Sequence, residues 1–546
     1  MNYYYCYFYN IKLMQMKKTF IILSIVYFFT NIVFAQHQNV MLPYSNSPWD
    51  PEEPSIYVNP KNTDQLIGGA NINNVYLSND GGLSWSANTI SSPTNGVWGD
   101  PCCIVDTAGD YYFFHLSNPP AGNFIDRIVC QKSTDQGASW SDGSYMGLNG
   151  DKVQDKEWAV VDPANNAMYV TWTQFDVYGP FNPGNVTEED SSNIHFSKSI
   201  DGGLSWSSAT RINQIAGDCW DDDETVEGAV PAVGPNGEIY VSWAGPEGIV
   251  FDRSADQGGT WLDEDIFVSD FPGGWAYDVP GISRCNGLPI TVCDLSGGNN
   301  HGNIYINWTD QRNGEDDTDV WLARSSDGGD TWSEPIRVND DAPGKQQFFT
   351  WMAIDQVTGY LWFVWYDRRN YTDDNTDVYM ALSTDGGDTF INFKVSEEPF
   401  LPWDDVFFGD YTNVSAHNNV VRPIWARLQN GDLSVLTAIV DVDAVITTGT
   451  GEEELIPFAT MEPNYPNPFR QSTFISFKLQ HPGVVTLKVF DMYGREITTL
   501  INKKFRNRGK YIEHFETVNY NLSPGVYYFS LTGEGLNLRQ KMMLVR

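Results

Sequence analysis

The chain has 546 residues, which allows two to four domains at roughly 100–200 residues per domain. Its 70 Asp and Glu outnumber its 33 Lys and Arg, giving a formal net charge of -37. This excludes nucleic acids and anionic membrane surfaces as partners, because both require clustered basic residues. The 48 Gly, 29 Pro and 14% aromatic residues are typical of a turn-rich β protein.

The first 35 residues have the pattern of a secretory signal peptide. Met16-Lys17-Lys18 precedes an apolar run from Phe20 to Phe34, and Ala35 ends a small-residue cleavage site. We predict cleavage after Ala35, with Met1 or Met16 as the start of translation. The apolar run is short for a membrane span, and no later stretch is long and apolar enough to cross a bilayer.

One octet with the pattern S-x-D-x-G-x-[ST]-[WF] recurs six times after the leader, first at Ser78–Trp85. Its Asp can accept backbone N–H bonds across a tight turn, and its Gly supplies a positive φ. The final aromatic residue has the size to fill a gap between sheets. We interpret the six octet aspartates as structural, rather than as catalytic residues or metal ligands. They are Asp80, Asp135, Asp201, Asp256, Asp327 and Asp385.

Each octet follows three strand-like segments and precedes a fourth. Four consecutive strands of this kind make one blade of a β-propeller. A seventh unit without an octet covers Phe407–Val442, and Asn39–Tyr44 could supply its fourth strand. We therefore predict an all-β fold with a β-propeller over residues 36–443, and seven blades are favoured over six.

The octet resembles the Asp box, or BNR repeat, of sialidase-type β-propellers. The resemblance implies a glycan-related protein. Sialidases of this type use an arginine triad, an Asp acid/base and a Tyr nucleophile. Sialidases begin their first inner strand with an Arg-Ile-Pro type motif, whereas this chain has Glu53-Pro54-Ser55, and three convergent arginines are not evident. We therefore predict a sialidase-like propeller that acts on or binds extracellular glycans. The alternatives are a non-catalytic binding or adhesion propeller and a polysaccharide lyase with Tyr411 or His417 as its base.

Polar residues recur on the loops that enter the inner strands, where propellers usually bind ligands. Carboxylates held close together raise each other's pKa, and two at a suitable separation can hydrolyse a glycosidic bond. The alternative is that these side chains only cap strand ends around a solvated channel. The candidate catalytic residues are Asp100, Glu157, Glu227, Arg284, Asp410 and Tyr411.

No cofactor is required by this interpretation, although calcium could bind two acidic loops with several carboxylate oxygens. The alternative for these loops is a solvated, repelling surface. Export permits disulfides, and Cys285 and Cys293 are the favoured pair because they flank a Gly-Leu-Pro loop. The candidate calcium residues are Asp316, Asp317, Asp319, Asp373, Asp374 and Asp377.

A linker over 444–462 and a small Ig-like β-sandwich over 463–546 are predicted to follow the propeller. Tyr465-Pro466-Asn467-Pro468-Phe469, Leu522–Tyr527 and Lys541–Arg546 resemble the C-terminal (type A) sorting domain of the type IX secretion system of Bacteroidota. The resemblance implies that the secretion machinery is a partner and that the protein is secreted or anchored at the outer cell surface. The alternative is a generic carbohydrate-binding or adhesive sandwich.

Overall fold

The computed structural model describes residues 37–429, 431–449, 459–479, 482–520, 522–533 and 536–546. The predicted signal peptide, residues 1–35, lies outside these ranges. The chain divides into two compact units, one ending at Val442 and the other beginning at Asp443.

The described residues of the first unit form seven antiparallel four-stranded sheets, which confirms the predicted all-β propeller with seven blades. In blades 1 to 6 the strands follow one another in chain order from the inside of the ring outward. The strands of the first three blades are Ser55–Val58, Leu66–Ala70, Asn74–Ser78 and Ser86–Thr89; Trp98–Val105, Tyr111–Leu116, Ile128–Ser133 and Ser144–Met146; and Val153–Val161, Met168–Phe175, Ser192–Ser199 and Thr210–Arg211. Those of the next three are Glu227–Val233, Ile239–Gly245, Gly248–Ser254 and Ile266–Ser269; Ile290–Cys293, Ile304–Asp310, Asp319–Ser325 and Ile336–Arg337; and Gln347–Asp355, Tyr360–Asp367, Asp377–Ser383 and Ile391–Lys394.

Blade 7 closes the ring with strands from both ends of the unit. Asn413–His417, Val420–Gln429 and Asp432–Ile439 form its first three strands, and Gln38–Met41 from the N-terminal side forms the outermost one. The innermost strands of neighbouring blades pack against one another around the whole ring. They surround a central cavity of about 440 Å³.

The octets form the tight turns between the third and fourth strands of blades 1 to 6. In the first octet, the hydroxyl of Ser78 donates to Asp80 Oδ1 at 2.9 Å, and the N–H of Ser84 donates to the same oxygen at 2.9 Å. The same two bonds recur in the other five octets. The closing rings reach neighbouring blades, since Trp261 packs on Phe196 of the preceding blade with a centroid distance of 5.1 Å. Each octet aspartate is thus engaged within its own turn.

A short ribbon, Tyr277–Val279 paired with Ile282–Cys285, stands between blades 4 and 5. The predicted Cys285–Cys293 disulfide is wrong, because all six cysteines in the described ranges are free thiols. Cys285 pairs with Tyr277 at the end of the ribbon, whereas Cys293 pairs with Ile304 at the far end of the inner strand of blade 5. The strand Ile290–Cys293 carries the second thiol away from the first.

The second unit is a two-sheet β structure. Ala459–Met461, Ser472–Leu479 and Gly509–Glu516 form one sheet; Gly483–Asp491, Glu496–Arg506, Gly525–Gly533 and Leu536–Leu544 form the other. Buried Phe477, Leu487, Phe515, Phe529 and Met542 belong to their shared core. The helix Val442–Gly449 and the 3-10 turn Thr517–Asn519 complete the regular structure of the described ranges. Among these residues, no helix has both the length and the apolar character needed to span a membrane.

Candidate active site at the propeller mouth

A repeated backbone irregularity builds the mouth of the propeller, the end at which the inner strands begin. Six residues at this level have a positive φ: Glu53, Asp100, Lys156, Gly228, Phe349 and Gly409. Four of the inner strands show a register shift there. A bulge of this kind re-aims side chains, and a non-glycine residue at positive φ is strained, a feature that clusters at functional sites.

Lys156 gathers three carboxylates from three other blades or their entry loops. Its ammonium lies 3.0 Å from Asp100 Oδ2 and 3.6 Å from Glu53 Oε1, and it also contacts the carboxylate of Asp410. All four side chains are nearly inaccessible to solvent. Lys156, Asp100 and Glu53 all have a positive φ, and the first two lie at register shifts of the kind that re-aims side chains.

Arg284, at the end of the ribbon, supplies the second cation. Its Nε donates to Asp410 Oδ1 at 3.1 Å, and its Nη1 donates to Asp221 Oδ2 at 2.5 Å. The hydroxyl of Tyr178 donates to the same Asp221 oxygen at 3.1 Å. Asp410 therefore lies between two cations, and each cation is shared by at least two carboxylates.

Glu53, Asp100, Lys156 and Arg284 lie at the floor of an open cavity of about 500 Å³ that aromatic rings also line, and Asp410 pairs with both cations from behind this floor. Trp98, Phe124, Phe181 and Phe407 are the rings nearest solvent in the lining of the cavity, and Phe181 and Phe407 are 63% and 41% exposed. Arg284 and Lys156 are the cations that line the cavity in the described part of the chain. A concave site with apolar walls and a few convergent polar groups is the usual form of a small-molecule site.

The carboxyls of the mouth fall into two classes by pKa. Burial, helped by the charge of Asp100, raises the pKa of Asp155 to about 7 and that of Glu53 well above its ordinary value. Burial also raises the pKa of Glu52 to about 8. Burial alone would raise the pKa of Asp410 too, but the charges of Arg284 and Lys156 outweigh it and lower that pKa. The mouth thus combines carboxyls whose pKa is raised by burial with one, Asp410, whose pKa is lowered by its paired cations.

Three of the six candidate catalytic residues, Asp100, Arg284 and Asp410, lie together around the cavity floor. Glu157 and Glu227 lie beneath it and are fully buried, which raises their pKa values well above normal. Neither carboxylate accepts a hydrogen bond from another side chain within the described ranges.

Tyr411 and His417 do not fit the role of a lyase base. Tyr411 is buried beneath the cavity against Trp158, with a centroid distance of 5.2 Å, and burial raises the pKa of its hydroxyl well above the ordinary value. His417 ends the inner strand Asn413–His417 and lies beside the central cavity, at the opposite end of the blade from the mouth.

The predicted calcium loops bind other protein groups instead. In the described ranges no group of three or more His, Cys, Asp or Glu side chains is placed to hold a metal ion. Asp317 accepts the N–H of Gly344 at 2.6 Å, Asp319 pairs with Arg337 at 2.8 Å, and Asp377 pairs with Lys394 at 2.8 Å. Each of these carboxylates thus binds a different amide or cation of the protein.

Sequence reasoning missed part of the site. Asp155 and Lys156 precede the candidate Glu157 directly, but the bulge turns this pair toward the cavity and Glu157 away from it. Asp221 lies in the acidic run Asp221–Glu224, which no repeated motif marks as part of a site. One feature of the sequence could have indicated this part of the site. Lys156 is a base between two acidic residues, Asp155 and Glu157, in a chain with few bases.

The described residues thus form a seven-bladed all-β propeller followed by a two-sheet β unit. Residues 464–545 match the family described as "Secretion system C-terminal sorting domain", and this domain implies export to the cell surface or beyond it. A comparison with curated proteins gives no match.

Among solved structures, the chain is similar to "Hadza microbial sialidase Hz136", with 14% identity over 71% of this chain and 75% of that one and a TM-score of 0.40. It is also similar to the NanB sialidase of Streptococcus pneumoniae, with 10% identity over 65% and 69% and a TM-score of 0.40. A third similar structure is the α-L-arabinanase of Penicillium chrysogenum, with 14% identity over 61% and 92% and a TM-score of 0.38. At these values the likeness carries no argument about activity.

Proposed function

We propose that this protein is an exported propeller that binds an uncharged glycan in the cavity at its mouth. The observation that carries the proposal is the cavity itself, in which exposed aromatic rings surround a floor of carboxyl groups. Flat apolar rings offer contact area to the apolar faces of a sugar, and the carboxyls can bond its hydroxyl groups. The sorting domain supports a position outside the cell, where polysaccharides are available.

The charge of the site favours an uncharged ligand. Arg284 is shared by Asp410 and Asp221, and Lys156 is shared by Asp100, Asp410 and Glu53, so both cations are already neutralised. A bidentate clamp on a sugar carboxylate needs an available guanidinium. Among the described residues, Arg284 is the arginine that lines the cavity and it is already paired, which favours an uncharged glycan over a sialic acid.

Binding assays with a matched pair of variants test the proposal. The mature chain is titrated with xylan, arabinan and mixed-linkage β-glucan as neutral probes, and with sialyllactose and polygalacturonate as anionic probes. We expect at least one neutral probe to bind, and Phe181→Ala to weaken binding at least tenfold. Phe267→Ala is the control, because this ring is 54% exposed on the outer strand of blade 4 and outside the cavity. Binding of the anionic probes alone, of no probe, or equally by both variants would overturn the proposal.

Hydrolysis of the bound glycan is the second candidate function, favoured by Asp155. A carboxyl group whose pKa lies near 7 is protonated often enough at neutral pH to act as a general acid. Asp100 lines the same cavity and is the candidate for the second carboxylate that glycosidases use. Asp155 would protonate the glycosidic oxygen as the bond breaks, and water would supply the hydroxyl that completes the new reducing end.

The two candidates are separated by measuring reducing ends released from the neutral probe that binds. If the chain is a hydrolase, Asp155→Asn should lower the rate more than a hundredfold while binding stays within twofold. The wild-type rate should also fall as pH rises through about 7, since Asp155 then loses its proton. Binding without any release of reducing ends between pH 5 and 8 would reject hydrolysis and leave the binding function.

A further inference from the structure

Five aromatic rings form a continuous row along one side of the mouth, which we name the aromatic wall: Trp49, Trp98, Phe124, Phe181 and Tyr178. Their successive centroid distances are 5.8, 5.0, 5.8 and 5.1 Å. Trp49 and Phe181 are 51% and 63% exposed. The wall crosses from the segment before blade 1, over blade 2, to a loop of blade 3.

The wall is longer than the cavity to which it belongs. Trp98, Phe124, Tyr178 and Phe181 line the cavity, whereas Trp49 lies beyond its edge. The wall therefore continues the binding surface outward from the mouth. A single terminal sugar held in the cavity would leave the Trp49 end of this surface unused.

The loops that carry the wall are anchored, so the row of rings exists before any ligand arrives. The N–H of Trp49 donates to Ser47 Oγ at 3.1 Å, and Ser45 Oγ donates to the buried Asn74. Next to Phe124, the N–H of Asn123 donates to Asp126 Oδ2 at 3.0 Å. A preorganised surface binds with little loss of conformational entropy.

We propose that the aromatic wall is a binding track for consecutive residues of an uncharged linear polysaccharide. The protein would then take internal segments of a polymer rather than a single terminal sugar. The inference rests on the proposed function, because the wall and the cavity share four rings. An uncharged chain is specified because each cation of the adjoining floor is already paired with carboxylates.

The test is the dependence of affinity on oligosaccharide length. The mature protein is titrated with xylo-, arabino- and cello-oligosaccharides of two to six units. We expect the affinity to rise at least tenfold between the shortest and the longest oligomer of the bound series. Trp49→Ala should abolish this gain while the affinity for the dimer stays within twofold, and Trp49→Tyr should restore most of it. Trp98→Ala should weaken the binding of all lengths, and Phe267→Ala should change none.

The outcomes separate this inference from the proposed function. The track would be overturned, and the cavity site kept, by either of two results. One is an affinity that does not rise with oligomer length, and the other is a rise that persists in Trp49→Ala. Failure of every oligosaccharide and neutral polymer to bind would overturn both. Sedimentation of the wild type, but not of Trp49→Ala, with phosphatidylcholine vesicles would identify a lipid surface as the occupant and overturn the track.

Discussion

At the scale of single residues, the mouth depends on the ammonium of Lys156, which faces Asp100, Asp410 and Glu53 in a site with little access to water. Removing one partner of a buried ion pair leaves uncompensated charge and costs about 3–5 kcal/mol. We therefore predict that Lys156→Met lowers the free energy of unfolding by about that amount near neutral pH. Urea unfolding followed by tryptophan fluorescence measures it.

The loss should depend on pH in a defined direction. Without Lys156 the pKa of Glu53 rises further and that of Asp410 is lowered less, because the charge of Lys156 lowers both. Groups with a raised folded-state pKa stabilise the fold at low pH and lose that contribution as pH rises. The deficit of Lys156→Met should therefore be larger at pH 8 than at pH 5. Lys152→Met is the control, because Lys152 pairs with Asp176 at the surface. An ion pair there contributes roughly 0–1 kcal/mol. A similar loss of stability in both variants would contradict the prediction.

At the scale of elements, the octet turns should lose stability in acid. Hydrogen bonds within the turns, led by those from the hydroxyls of Ser139 and Ser205, lower the pKa values of Asp135 and Asp201 to about 2. The unfolded value is about 3.9, so each bond contributes fully above that pH and is lost as pH falls toward 2. We predict that Asp201→Asn destabilises the propeller at pH 6 and that its difference from wild type shrinks between pH 4 and pH 2.5.

Thermal unfolding monitored by circular dichroism at several pH values checks the octet prediction. The matched control is Ile200→Ser, which changes an 80% exposed neighbour in the same turn without touching the carboxylate. Its difference from wild type should not vary with pH. If the Asp201→Asn deficit is constant between pH 4 and pH 2.5, the carboxylate bonds are not the source of the stability.

The blades could be predicted from sequence because their information is local. Octets mark the turns, and runs of apolar residues mark strands such as Val420–Gln429, so pattern alone favoured seven blades and a closed ring. The site is not local, since Lys156 meets Asp410 from a position 254 residues away. Sequence indicated which loops reach the mouth, but an unmarked bulge decided that Lys156, and not Glu157, faces the cavity. The rings of Phe124 and Phe181 were missed because their loops share no repeated pattern.

At the scale of the whole propeller, the N-terminal strand Gln38–Met41 holds the ring closed. It pairs with Asp432–Ile439 of blade 7. The side chain of Asn39 also bonds the backbone of blade 6, donating to the carbonyl of Val395 at 2.8 Å and accepting the N–H of Glu397 at 2.8 Å. Closure has a functional consequence, because the floor of the mouth joins Lys156 of blade 3 to Asp410 at the entry to blade 7.

We predict that a chain beginning at Leu42 is less stable than the mature chain beginning at Gln36, by about 1 kcal/mol for each backbone hydrogen bond lost. The strand Asp432–Ile439 would become an exposed edge, so its amides should exchange with solvent faster and the protein should aggregate more readily. Hydrogen exchange read by mass spectrometry measures the exchange of these amides, and thermal unfolding measures the difference in stability. Asn39→Ala, which keeps the strand and removes only its side-chain bonds, should lie between the two chains. Equal protection of residues 432–439 in the long and short chains would show that the ring stays closed without its N-terminal strand.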